Sequence, residues 1–208
     1  IKGGGVLGPA PFFIMGVVNV TPDSFYDGGR YASPDGAVSQ AGLLAQQGAD
    51  ILDIGGESSR PFSEPVDEAE ERKRVLPVVR ALAEQAGPFP AISVDTWKSA
   101  IAAEVLEAGA DMINDISACL WDPGLLDVLV QHKPGYVLMH SLGRPKHMQE
   151  DPKYGDVVAE VKAFFEEHLN RLVRAGLPED RIILDPGIGF GKKLEHNLAL
   201  LANLDQFQ

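Results

Sequence analysis

Six short segments rich in β-branched and aromatic residues alternate with longer amphipathic segments, and this alternation is what most restricts the fold. The apolar segments predict buried strands at residues 12–18, 50–54, 91–95, 111–116, 136–140 and 181–185. Between them, apolar side chains recur every three or four positions, which is typical of helices that bury one face. Strands and helices in strict alternation predict parallel βαβ units, and therefore an α/β protein.

Polar residues stand at the carboxyl ends of at least five of these predicted strands: Asn19, Asp53, Asp95, Asn114 and Asp185. In an open doubly wound sheet a ligand binds in one crevice, whereas in a (β/α)8 TIM barrel all strand ends surround one mouth. The spread of polar ends over many strands favours the barrel. A barrel needs eight βα units, so we expect residues 1–208 to form a single barrel domain that lacks its last two units.

Several local features are predicted from single residues. The charged segment 66–85 predicts a helix that Pro77 kinks or breaks, because proline has no backbone N–H. Thr96 follows the third strand and is predicted to cap the next helix through its hydroxyl. Residues 142–154 are polar and contain two prolines, which predicts a long loop.

The polar stretch at residues 19–31 follows the first strand and is the segment around which a site is expected to form. Strand-to-helix loops usually have about 2–6 residues, and longer ones are functional or disordered. In α/β proteins the loops at the carboxyl ends of the strands carry the chemistry. We therefore predict a functional loop here rather than a simple connection.

Asp95, Asn114 and Asp185 form the most informative polar set. A carboxylate can accept two parallel N–H groups from the edge of a guanine-like or pterin ring, and an asparagine offers a donor and an acceptor beside them. For any one of these residues, capping of the following helix is an equal alternative. The three together favour a binding site, because a buried carboxylate without a partner is costly.

Two glycine-rich segments suggest anion binding. Arg60 follows Ser58 and Ser59 and could hold a phosphate in bidentate fashion, the alternative being an ordinary solvated arginine. The run Gly187-x-Gly189-x-Gly191-Lys192 resembles a phosphate loop but matches neither the Walker nor the dinucleotide pattern.

Charge and cysteine content narrow the classes of partner and compartment. The formal net charge is −12, from 18 Lys+Arg against 30 Asp+Glu, which argues against nucleic acid and anionic membranes as partners. The single cysteine, Cys119, excludes an intramolecular disulfide, fits a cytoplasmic protein and is expected in the core rather than as a nucleophile. None of the five histidines is spaced as a metal ligand.

Five motifs together make the sequence recognisable. The segments N-V-T-P-D-S-F at 19–25, D-I-G-G-E-S-S-R-P at 53–61, S-V-D-T at 93–96, I-N-D-I at 113–116 and D-P-G-I-G-F-G-K at 185–192 closely resemble the dihydropteroate synthase family. That resemblance implies a TIM-barrel transferase of folate biosynthesis. It would condense 6-hydroxymethyl-7,8-dihydropterin pyrophosphate with p-aminobenzoate, with the help of Mg²⁺, to give 7,8-dihydropteroate and pyrophosphate.

The resemblance also implies roles for individual residues. Asp95, Asn114 and Asp185 would bind the pterin, and Asn19 and Arg60 the pyrophosphate, with Asn19 also meeting the metal. Asp95, Asn19 and Arg60 would be the catalytic residues. The p-aminobenzoate pocket would be framed by Phe25, Asp27, Ser59, Pro61 and Phe190. A homodimer with small-molecule substrates is implied, without nucleic acid or membrane.

Two departures and two alternatives accompany this interpretation. The family usually has threonine where this chain has Ser59, and its lysine near strand seven and its Arg-x-His at strand eight have no counterpart in residues 1–208. One alternative is a pterin-binding methyltransferase domain of the methyltetrahydrofolate:corrinoid type, which does not need the N-V-T-P-D-S-F loop. The other is a non-catalytic pterin-binding homologue.

Overall fold

The computed structural model describes residues 7–8, 10–21, 33–60, 63–85 and 89–207. One parallel sheet contains β1 (Met15–Asn19), β2 (Ile51–Gly55), β3 (Ala91–Asp95), β4 (Met112–Asp115), β5 (Gly135–Met139) and β6 (Ile182–Asp185). The strands lie side by side in chain order, each parallel to the one before it. In a doubly wound sheet the order of the strands reverses at a switch point. The continuous order seen here confirms the barrel-type winding that the polar residues at the strand ends predicted.

In the described part of the chain, six α-helices cover the outer face of the sheet. They are α1 (Pro34–Gln46), α2 (Glu68–Ala83), α3 (Ser99–Glu107), α4 (Gly124–His132), α5 (Val157–Ala175) and α6 (Leu194–Ala202). Alternate strand residues such as Leu52 and Ile54 point to this layer and pack with helix residues such as Val75 and Val79. None of the helices in the described part of the chain is long and apolar enough to cross a membrane.

The other face of the sheet forms the interior of the fold. At its bottom, Ile51, Ala91, Met112 and Val137 form a small separate apolar cluster. Towards the carboxyl ends of the strands the interior residues become polar. This change along the strands divides the interior into an apolar floor and a polar mouth.

The interior face is open at both edges of the sheet. Val17 on β1 and Ile183 on β6 are 55% and 44% exposed, although their register partners Asp53 and Val137 are buried. Within the described residues, β1 and β6 each pair with only one strand. Apolar side chains at such edges are the surface that further strands of a barrel would cover.

The structure corrects two local predictions, a break of α2 at Pro77 and a cap of α3 by Thr96. Helix α2 continues through Pro77 because it buries Val75, Val78, Val79 and Leu82 against the sheet, which offsets one lost backbone hydrogen bond. Thr96 does not cap α3, whose N-cap residue is Lys98. The Thr96 hydroxyl donates to Glu71 Oε1 at 2.6 Å and accepts from Lys98 N at 3.3 Å. Instead, Asp122 Oδ2 accepts from Ser99 N at 2.7 Å, so the helix is capped by a residue distant in sequence.

The long-loop prediction was correct. No α-helix or strand lies between β5, which ends at Met139, and α5, which begins at Val157.

Candidate functional site at the sheet mouth

Four residues occupy one register row across the first four strands. Asn19 pairs with Gly55, Gly55 with Asp95, and Asp95 with Asn114. Paired residues of a parallel sheet point to the same face, so the side chains of Asn19, Asp95 and Asn114 all lie at the interior mouth. Gly55 leaves the space between them free, since a Cβ there would lie 3.3 Å from Asn19 Oδ1 and 3.7 Å from Asp95 Cβ.

Asp53 belongs to the same interior face, although the sequence patterns placed it only near a strand end and predicted no binding role for it. It is 4% exposed, and its Oδ2 accepts from Asn114 Nδ2 at 2.9 Å. Its Oδ1 and the nearby Ser93 hydroxyl have no hydrogen-bond partner among the described residues. The spacing could have revealed it, because Asp53 precedes Gly55 by two positions and strand side chains alternate with a period of two.

The environment of these carboxyl groups disfavours their charge. Burial raises the pKa of Asp53, and the nearby Ser93 and Asn114 side chains offset this only in part. Burial, followed by the negative charge of Asp53, raises the pKa of Asp95 well above its ordinary value. No described residue donates a hydrogen bond to Asp95, and the first turn of α3 donates to Asp122 instead, so the helix-capping alternative does not apply to Asp95. An acid in this state is stabilised by a ligand that brings N–H donors.

Asp185 differs from Asp95 in having one internal partner. It stands at the end of β6 beside Met139, is partly exposed, and its Oδ1 accepts from Gly187 N at 2.7 Å. It therefore holds its own turn with one oxygen, and no described residue donates to the other. Both interpretations of Asp185, turn residue and ligand acceptor, are compatible with this geometry.

The glycine-rich loop after β6 uses its lysine internally. Lys192 is buried, donates to the carbonyl oxygens of His140 at 3.1 Å and Phe190 at 3.0 Å, and lies 3.0 Å from His140 Nδ1. Burial lowers the pKa of Lys192 to about 8, and burial and Lys192 lower that of His140 to about 4. Lys192 thus fixes the loop that carries Phe190, and the resemblance to a phosphate loop finds no support in its position.

The loop after β2 places its polar residues beside Asp95. Ser58, Ser59 and Asp95 line the same small cavity, together with Glu57, Glu71, Thr96, Trp97 and Ile116. Arg60 is exposed, and its side chain contacts no acidic group among the described residues. Such a guanidinium is free to bind an external anion.

Part of the predicted site lies outside the described residues. This applies to Phe25, Asp27 and Pro61, and to most of the loop at 19–31. Of the residues expected to frame an aminobenzoate pocket, Ser59 and Phe190 are described, on the loops that follow β2 and β6.

Asn19, the residue that the family resemblance assigns to Mg²⁺, lies among the described residues of the mouth. Asn19 presents its amide oxygen at the mouth, and Mg²⁺ prefers oxygen ligands. Within the described ranges no group of three or more His, Cys, Asp or Glu side chains is arranged to hold a metal ion. These residues fit an ion that arrives with phosphate oxygens and water, which is how Mg²⁺ commonly binds.

Comparisons with known proteins agree with this geometry. The profile of one family, described as pterin binding enzyme, matches residues 15–208. The dihydropteroate synthase of Escherichia coli strain K12 is 47% identical over 194 residues, which cover 93% of this chain and 68% of that protein. The chain thus spans about two thirds of the length of this relative.

Solved structures show the same similarity. A Yersinia pestis dihydropteroate synthase with a sulfonamide drug complex superposes with a TM-score of 0.88 at 45% identity, covering 94% of this chain and 70% of that one. A Xanthomonas albilineans dihydropteroate synthase with 4-aminobenzoic acid gives 0.83 at 45% identity, covering 92% and 67%.

Proposed function

The chain belongs to the pterin-binding enzyme family, and we propose on that premise that it catalyses the dihydropteroate synthase reaction. It is a transferase of folate biosynthesis that condenses 6-hydroxymethyl-7,8-dihydropterin pyrophosphate with p-aminobenzoate. The C–O bond to pyrophosphate breaks and its electron pair leaves with the pyrophosphate. The amine nitrogen of p-aminobenzoate forms the new C–N bond and releases a proton to solvent, which gives 7,8-dihydropteroate.

The observation that supports this proposal is an interior that contains carboxyl oxygens without hydrogen-bond donors. Asp95 has a strongly raised pKa and Asp53 a buried oxygen without a partner, and both lie beside Asn114. A pterin ring presents a row of N–H donors along one edge, which matches carboxylate oxygens in number and direction. In this proposal Asp95, Asn114 and Asp185 bind the pterin, and Asp95 stabilises the positive charge that develops as pyrophosphate departs.

Asn19 and Arg60 bind the leaving pyrophosphate in the same proposal. Asn19 stands at the mouth next to Asp95, and the exposed guanidinium of Arg60 is suited to bidentate contact with phosphate oxygens. Mg²⁺, held by Asn19 and the pyrophosphate, would neutralise the charge of the leaving group when bound. Phe25, Asp27, Ser59, Pro61 and Phe190 are proposed to frame p-aminobenzoate.

Three broader features complete the proposal. Residues 1–208 form one barrel domain that two further βα units close, because the open edges at Val17 and Ile183 call for covering strands. The protein works in the cytoplasm, where the buried Cys119, whose pKa burial raises to about 12, stays reduced. A homodimer is proposed from the family resemblance.

The test is release of pyrophosphate by the full-length protein supplied with both substrates and Mg²⁺. We expect pyrophosphate and dihydropteroate in equal amounts, and no release without p-aminobenzoate. Methyl transfer that requires a methyl donor and a corrinoid, without pyrophosphate release, would replace this function with a methyltransferase. Pterin binding without either reaction would indicate a non-catalytic homologue.

A further inference from the structure

A buried charged cluster lies directly below the loop that carries Ser59 and Arg60. At its centre Lys98, 4% exposed, donates to Glu57 Oε2 at 2.5 Å and to the Val66 carbonyl oxygen at 2.7 Å. Its third partner is Glu71 Oε2. The three N–H donors of the ammonium group therefore meet three acceptors, two at the ends of the loop between β2 and α2 and one on α2 itself.

The two carboxylates of this cluster have further partners. Glu71, 1% exposed, accepts from the Thr96 hydroxyl at 2.6 Å. Glu57 Oε2 also accepts from Val66 N at 3.1 Å. Burial would lower the pKa of Lys98, but its hydrogen bonds to Glu57 and Glu71 outweigh burial and raise it. Lys98 is therefore charged at neutral pH, and the cluster is a fully hydrogen-bonded ion network.

The cluster connects both ends of one loop. Glu57 begins the segment that follows β2, and Val66 ends it, one residue before Asp67 caps α2. Lys98, at the start of α3, contacts both. Clamping the two ends reduces the number of conformations open to the residues between them, and these include Ser59 and Arg60.

We propose that Lys98 is a positioning residue for the pyrophosphate-binding loop. It does not contact substrate; it fixes both ends of the segment 57–66, and so holds Ser59, which lines the cavity with Asp95, and the adjacent Arg60 in position. The inference rests on the proposed function, because that function assigns Ser59 and Arg60 to substrate. It adds a residue outside the five motifs that carry the family resemblance.

A purely structural role is the competing explanation, since the cluster also joins α2 to α3. The chain offers a matched control for that role. Arg72 on α2 donates to Glu104 on α3 at 2.8 Å, so this pair joins the same two helices. Both side chains are 36% exposed, and the pair contacts none of the described residues of the segment 57–66.

The experiment compares Lys98→Met, Glu57→Gln and Arg72→Met in the full-length protein. Glu57→Gln leaves Lys98 paired with Glu71, so we expect it to fold even where Lys98→Met loses stability. The measurements are the Tm, the KM for dihydropterin pyrophosphate, and the affinities for Mg²⁺-pyrophosphate and for a pterin without pyrophosphate by calorimetry.

We expect both cluster variants to raise the KM and weaken pyrophosphate binding by about 10- to 100-fold, as for a misplaced binding group. Affinity for the pyrophosphate-free pterin should stay within about twofold, and Arg72→Met should change none of these quantities. Equal losses for pterin and pyrophosphate, no change in either, or failure of both cluster variants to fold would overturn the proposal. If the unmodified protein releases no pyrophosphate, the proposed function fails instead, and pyrophosphate titration still tests the positioning role.

Discussion

Asp95 and Asp115 are acids at the ends of neighbouring strands, yet the two faces of the sheet give them opposite environments. Asp115 points to the helix layer and is fully buried. Its Oδ1 accepts from Ser117 N at 2.7 Å, and its Oδ2 accepts from Cys119 N at 2.7 Å and the Tyr136 hydroxyl at 2.8 Å. Asp95, on the interior face, accepts from no described residue.

The backbone near Asp115 explains why its carboxylate is needed there. Ala118 and Cys119 both have positive φ angles, 54° and 56°, in the turn after β4. Side chains other than glycine adopt this conformation at a cost, and the Asp115 carboxylate holds the turn by accepting two of its N–H groups. The number of internal donors thus distinguishes a carboxylate that maintains the fold from one that is available to a ligand.

The largest expected effect comes from Asp95→Asn. An amide facing two N–H donors keeps one acceptor and misplaces its own donors, so pterin affinity should fall by about 2–5 kcal/mol. The variant should be as stable as the unmodified protein or more so, because it removes a carboxylate that burial disfavours. Calorimetric titration with a pterin and a thermal melt measure both quantities, and unchanged affinity would remove Asp95 from the site.

Asp115→Asn should show the reverse pattern. The amide loses one acceptor and turns N–H groups towards the turn, so the free energy of unfolding should fall by about 1–3 kcal/mol. Pterin affinity of the folded protein should stay within about twofold, because Asp115 faces away from the mouth. Urea denaturation measures the loss. Loss of affinity at full stability would show that the two faces are not separate in function.

The pH dependence of stability sharpens the comparison further. The folded pKa of Asp95 lies well above its ordinary value of 3.8. Asp95 therefore binds its proton more tightly in the folded than in the unfolded protein. The stability that this protonation contributes is fully present below pH 3.8 and is lost as pH rises through the folded pKa. The gain in stability of ligand-free Asp95→Asn over the unmodified protein should grow with pH from about 4 upwards, by at most about 1.4 kcal/mol per pH unit. Urea titrations of both proteins at several pH values test this, and a constant difference would contradict it.

Tyr136→Phe should have the smallest effect. It removes one of three donors to Asp115 and leaves the two backbone N–H groups in place. The expected loss of stability is about 0.5–1.5 kcal/mol, with pterin affinity unchanged. A larger loss by urea denaturation than that of Asp115→Asn would mean that the hydroxyl, and not the carboxylate, organises the turn.

The order and type of the elements were predictable because apolar residues recur with different periods in strands and helices. The third strand was located to the residue, at Ala91–Asp95. Partners distant in sequence were not predictable. Thr96 bonds to Glu71, 25 positions earlier, and Lys192 binds to His140, 52 positions earlier. For both residues a motif suggested a local role, as a helix cap or in a phosphate loop, and did not predict the long-range contact that the structure shows.

Part of the candidate site was predictable from local sequence patterns, and the part that depends on long-range contacts was not. Asp95 and Asn114 were assigned to the site because they stand where strands end. Asp53 was also noted near a strand end, but no motif assigned it to the pterin-binding set. Its role depends on a hydrogen bond from Asn114, 61 positions away. Sequence alone also did not separate Asn114, which faces the mouth, from its neighbour Asp115, which faces the helices.

The strand order has a consequence for how the protein is made. Because each strand pairs with the one synthesised just before it, the sheet can grow in step with the ribosome, since its contacts are between consecutive units. No strand has to wait for a partner encoded far downstream, except β1, whose outer edge stays unpaired among the described residues. The nascent chain therefore carries an unpaired β1 edge for as long as translation of this region lasts, and that edge is the place where a chaperone or a second nascent chain would first bind.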